Sequence, residues 1–129
     1  MTEAVSDAKF RVDYDRIVDA VKCGIPRHIR AKVWRFLLKQ KDHRRQQTRH
    51  ADPPLRPYVF QNLLKELTLH QHSILIDLGR TFPTHPYFAQ QFGPGQLSLF
   101  NILKAYSLYD PDVGYCQGLS FVAGVLLLH

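Results

Sequence analysis

Two short stretches of this 129-residue chain carry side chains suited to phosphate chemistry. In Ile74-Leu-Ile-Asp77-Leu-Gly-Arg80-Thr81-Phe-Pro83, Asp77 and Arg80 stand three apart, so on one helix they share a face and can pair. An arginine keeps its charge, and its planar fork matches phosphate oxygens two at a time. In Gly114-Tyr115-Cys116-Gln117-Gly118, Gln117 lies among glycines that let another molecule approach the backbone. GTP hydrolysis needs these two groups: a cation to neutralise charge on the transferring phosphoryl, and an amide to orient the attacking water. The sequence contains no G-x-x-x-x-G-K-[ST] loop with which to bind phosphates itself. The pair therefore points to a nucleotide held by a partner, which is the chemistry of a GTPase-activating protein. Taken singly, each motif also fits a plainer role. Asp77 and Arg80 at this spacing suit a surface ion pair of about 0.2–1 kcal/mol, and Gln117 suits a hydrogen bond to its own helix start.

Arg30 is a third candidate. It follows Gly24-Ile25-Pro26 and precedes Val33-Trp34, beside an apolar stripe where a charge needs a partner. Its reading is structural, as a buttress for Asp77 or for the helix that carries Arg80. Other chemistries find little support. The seven histidines show no H-x-x-x-H or H-E-x-x-H spacing, and His70 and His72 would face different ways on a helix, so no metal site is expected. Ser120 is not in a nucleophile elbow. Cys23 and Cys116 form no ligand or redox pair and read as free thiols.

These residues need helices to position them, and the periodicity is helical throughout. Tyr14, Ile17, Val18 and Val21 make one apolar face, ended by Gly24. Pro26 suits the first turn of a second helix reaching about Lys39, with Ile29, Val33, Phe36 and Leu37 as its buried stripe. Asp52-Pro53-Pro54 marks a turn. Phe60, Leu63, Leu64 and Leu67 predict a third helix, and a fourth covers about Ser73 to Thr81. Pro83 and Pro86 then predict an extended segment. Gly93-Pro94-Gly95 reads as a turn before a fifth helix, about Gln96 to Tyr109, burying Leu99, Ile102, Leu103 and Tyr106. Leu119 to Leu128 is apolar on every side and belongs in the middle of a core. Because the sequence stops at His129 with no helix-ending glycine or proline, the expectation is a larger domain cut inside a central helix. The fold class is all-α.

Composition bounds the setting. Hydrophobic residues at 45% and charged residues at 22% are ordinary for a globular domain. No apolar run reaches spanning length, and residues 1–15 lack a signal core, so a cytoplasmic protein is expected. Much of the net charge of +6 comes from Lys39, Lys41, Arg44, Arg45 and Arg49, with His43 and His50 among them. A basic cluster invites nucleic acid or acidic lipid, but no aromatic residues interleave it for base stacking, so the favoured reading is a solvated linker.

Three segments together resemble the TBC domain, the Rab-specific GTPase-activating family. Gly24-Ile-Pro-Arg-His-Ile-Arg30-Ala-Lys-Val33-Trp34 is similar to its opening motif, Ile74 to Pro83 to its arginine-finger motif, and Tyr115-Cys116-Gln117-Gly118 to its glutamine-finger motif. Thr81-Phe-Pro-Thr-His-Pro-Tyr-Phe88 and Gly95-Gln-Leu-Ser-Leu-Phe-Asn101 are similar to the Akt-regulated branch that acts in glucose-transporter trafficking. The resemblance implies an extension over 1–9 and a partial domain over 10–129, with a basic linker at 39–57. It implies Arg80 and Gln117 as catalytic fingers supplied in trans, supported by Asp77, Arg30, Tyr115 and Thr81. The partner would be a GTP-bound Rab, holding the Mg²⁺ and the nucleotide itself, at a vesicle membrane reached through that Rab. No cofactor of the chain's own and no nucleic acid are implied. The rival readings are a catalytically silent Rab-binding or scaffold module, and a nucleic-acid or anionic-lipid binder working through residues 39–50.

Overall fold

The computed structural model describes residues 14–46 and 57–129, with side chains for 15–41 and 59–129. Among these residues the chain forms seven helices and no strand, as an all-α domain requires. They fall into two compact units, residues 1–51 and 52–129. The 1–9 extension, the Asp52-Pro53-Pro54 turn, Arg49 and His50 lie outside the described residues, as do the side chains of His43, Arg44 and Arg45.

The first unit holds α1 (Tyr14–Lys22) and α2 (Arg27–Gln46). Gly24, at φ +100°, turns the chain between them, and its N–H bonds the Val21 carbonyl at 3.0 Å. Arg30 reaches back from α2, with Nε and Nη2 donating to the Ile25 carbonyl at 3.3 and 3.0 Å. It thereby ties the connection to the helix it precedes. Two expectations need correction here. The basic stretch is not a linker from residue 39, because α2 continues to Gln46; Lys39 to Gln46 contains no glycine or proline and several good helix formers. Ile29 and Phe36 are exposed rather than buried, while Val33 and Leu37 are half-buried.

The second unit is built on α6 (Pro94–Tyr109), against which α3 (Pro57–Leu63), α4 (Gln71–Leu78), α5 (Pro86–Ala89) and α7 (Leu119–Leu127) pack. Ile74 and Leu78 from α4, Phe88 from α5, Leu99 and Leu103 from α6, and Ala123 from α7 form its core. Each of the larger side chains contributes about 1.5–3 kcal/mol by leaving water. Pro94 lies inside α6 rather than in a separate turn, since a proline costs nothing in a first helical turn. Leu99 and Leu103 are buried as expected, but Tyr106 is exposed, its hydroxyl donating to Asp110 at 3.3 Å.

Three further differences have local causes. The segment after Pro83 is not extended throughout: Pro86 opens α5, and Nδ1 of His85 accepts the Tyr87 N–H at 3.2 Å as its cap. That short helix lies on α6 so closely that a Cβ on Gly95 would fall 1.9 Å from the Tyr87 carbonyl oxygen. Buried Gln96 fastens the same place, accepting from the Phe92 N–H and donating to the Phe88 carbonyl, each at 3.0 Å. The third helix stops at Leu63 and tightens into a turn, which leaves Leu67 85% exposed instead of continuing the stripe. Finally, α7 buries one face, through Ser120, Ala123 and Gly124, while Phe121, Val122, Val125 and Leu126 are exposed.

Candidate functional site

The site begins with the burial pattern of α4. Ile74, Asp77 and Leu78 stand at i, i+3 and i+4, and all three face inward. Asp77 is only 3% exposed, and a carboxylate so placed must be satisfied by partners. Its Oδ1 accepts from Nε of Arg80 at 2.6 Å and ion-pairs with Nη2 of the same guanidinium. Its Oδ2 accepts from the hydroxyl of Tyr115. One buried carboxylate thus joins the two motifs that lie far apart in sequence.

Arg80 is not on the helix itself, as the spacing had predicted, but in the turn that follows Leu78. The hydroxyl of the fully buried Thr81 donates to the Asp77 carbonyl at 2.6 Å and closes the helix end. The next residue, Phe82, takes φ +48°, a conformation that a bulky side chain adopts only when its surroundings hold it there. Here its ring packs edge-on to Phe121 at 5.3 Å and lies 6.0 Å from Phe88. A Cβ on Gly124 would come within 2.9 Å of that ring, so α7 approaches the arginine turn at a glycine. The Arg80 side chain, 54% exposed, projects from this braced turn.

Gln117 sits in the connection from α6 to α7. Asp110 organises its start, accepting the Gly114 N–H on its carbonyl at 2.7 Å and the Val113 N–H on its carboxylate at 3.3 Å. Gly114 and Gly118 both take positive φ, at +57° and +104°. Gly118 is the N-cap of α7, so Gln117 precedes the helix rather than lying in its first turn. Its side chain is exposed and hydrogen-bonds to no described residue, which removes the self-capping role. The structure therefore gathers Asp77, Arg80, Thr81 and Tyr115 in one network, with Gln117 two residues beyond Tyr115. Arg30 lies in the first unit, on the Ile25 carbonyl.

The hydroxyl of Tyr115 has its pKa pushed up to about 12, first by burial and then by donation to Asp77. Tyr115 therefore stays a protonated donor throughout the neutral range. Because the folded value lies above the ordinary one near 10, its stabilising effect is complete below about pH 10 and is lost as pH rises through about 12. Ultraviolet titration of the full-length protein is expected to show a tyrosine component near pH 12 that Tyr115→Phe removes. A lost component near pH 10 instead would mean that the Tyr115 hydroxyl is neither buried nor bonded to Asp77.

The frame is all-helical, and within it the Asp77 carboxylate joins the turn that carries Arg80 to the glycine-flanked segment that carries Gln117. Residues 27–129 match the Rab-GTPase-TBC domain, and the chain belongs to that family. It is 58% identical to human TBC1 domain family member 1 over 122 residues, covering 95% of this chain and 10% of that protein. It is 57% identical to mouse TBC1 domain family member 4 over 121 residues, covering 94% of this chain and 9% of that protein. Rab GTPase-activating protein tbc-11 of Caenorhabditis elegans is 40% identical over 114 residues, covering 88% of this chain and 12% of that protein. The chain thus spans about a tenth of the length of these relatives.

Proposed function

We propose that this chain belongs to an activator of Rab-family GTPases and supplies both catalytic groups for hydrolysis. The observation that carries the proposal is the Asp77 carboxylate, which binds Arg80 through one oxygen and Tyr115 through the other. With Nε and Nη2 engaged by Asp77, the guanidinium keeps its outer N–H groups for the oxygens between the β and γ phosphates. Gln117 orients the water that attacks the γ phosphorus as the bond to the β-phosphate oxygen breaks. GTP and Mg²⁺ belong to the partner GTPase, and contact with a vesicle membrane comes through that partner. An arginine brought in trans contributes about 10³–10⁵ in rate, roughly 4–7 kcal/mol of barrier. The printed name of the nematode relative, a Rab GTPase-activating protein, is in keeping with this reading.

The test is single-turnover hydrolysis by GTP-loaded members of the whole Rab family, with and without the full-length protein. Acceleration of one member or a small group is the expected result. Binding of a Rab with no acceleration of any would instead assign the chain to the silent, scaffold-like class.

A further inference from the structure

We infer that His70 is a positioning residue for the glutamine finger: its imidazole packs against Gly114 and sets the loop carrying Gln117 on the start of the helix that leads to Arg80. This rests on the proposed function above and adds a residue to it.

The geometry is specific to a glycine. A Cβ at Gly114 would fall 2.4 Å from Nε2 of His70, 3.0 Å from Cε1 and 3.3 Å from Cδ2. The edge of the imidazole therefore lies against the α-carbon of a buried residue whose φ of +57° already favours glycine. His70 is itself moored. It is the N-cap residue of α4, and its carbonyl accepts the Ile74 N–H at 3.0 Å. Its own N–H bonds Oγ1 of Thr68 at 3.2 Å, and that hydroxyl meets Oγ of Ser107 on α6 at 2.8 Å in a buried pair. Ser107 Oγ donates in turn to the Lys104 carbonyl at 2.8 Å.

The glutamine loop thus meets α4 at two places. Tyr115 bonds Asp77 near the helix end, and Gly114 packs on His70 at its start. A single hydrogen bond leaves the loop free to swing about it. Contacts from two adjacent loop residues to positions about two helical turns apart remove that freedom and fix the direction in which residues 116 and 117 leave. A misplacement of about 1 Å in a positioned group is enough to cost up to about 10²-fold in rate.

The experiment uses the full-length protein with a Rab that it accelerates. His70→Ala is expected to lower kcat about tenfold with little change in KM for the GTPase, because the loop is loosened while docking is left alone. Hydrogen exchange at residues 114–118 of the free protein should speed up in the same variant. His70→Phe, which keeps a flat ring at the contact, should recover most of the loss. In a Gln117→Ala background, His70→Ala should cause no further fall in kcat, since no finger remains to be misplaced. Unchanged exchange and kcat in His70→Ala would overturn the inference, as would an equal fall in the Gln117→Ala background, which would mean general loosening. If Gln117→Ala alone leaves kcat unchanged, the glutamine assignment fails, and the exchange measurement still decides whether His70 holds the loop.

Discussion

Arg80→Lys is expected to remove about 10³–10⁵-fold of the GTPase acceleration while leaving the protein folded. The reason lies in how the side chain is divided. Asp77 occupies the Nε and Nη2 edge of the guanidinium, and the outer edge remains for phosphate oxygens. A lysine carries its charge on one nitrogen at the end of a flexible stem. That nitrogen either stays with Asp77 or reaches for the phosphate, and it does neither with a planar fork. The stability cost is small, because the lysine keeps an ion pair with the aspartate and the Arg80 side chain is already half in solvent. KM for the GTPase is expected to move by only a few-fold, since the lost contact forms chiefly in the transition state. Single-turnover rates with the wild-type and Arg80→Lys full-length proteins, read beside their melting temperatures, check this. A variant that accelerates hydrolysis as the wild type does would remove Arg80 from the finger role.

The structure divides what was legible in the sequence by the range of the interaction. The Asp77–Arg80 pair was legible because residues three apart stay neighbours at a helix end, even where the second lies in the turn just beyond it. The Leu99 and Leu103 face of α6 was legible for the same reason. The tie from Tyr115 to Asp77 spans 38 residues, and no spacing rule reaches it; only the resemblance placed Tyr115 among the supporting residues. Helix ends were read least well. The arginine helix stops at Leu78 because Thr81 turns its hydroxyl back to the Asp77 carbonyl, a competition between side chain and backbone that periodicity does not register. Short α5 was hidden by two prolines that read as breakers, although one of them starts the helix. Gly124 carried a usable signal, a helix-weakening residue inside an apolar helix with no turn to make. Its role emerges only when the Phe82 ring is found against it. The same holds for His70, which the sequence brought up only to set aside as a metal ligand and whose ring the fold packs against Gly114.

Gln117→Ala carries the second large effect, an expected loss on the order of 10²-fold in the accelerated rate. The side chain is exposed and bonds no described residue, so its removal should shift stability by no more than about 0.5 kcal/mol. That contrast separates a group kept for a partner's chemistry from one that holds the fold. Gln117→Asn provides the graded version. It retains the amide but draws it back by one methylene, and an intermediate loss is expected if orientation of the water is the property at stake. A second consequence concerns the partner. If Gln117 supplies the amide that positions water, a GTPase whose own water-positioning glutamine has been replaced should still be accelerated by the wild-type protein and not by Gln117→Ala. Parallel single-turnover measurements on the two GTPase forms give four rates that decide the point. Equal sensitivity of both proteins to loss of the GTPase glutamine would return water positioning to the GTPase and leave Arg80 as the only catalytic group this chain contributes.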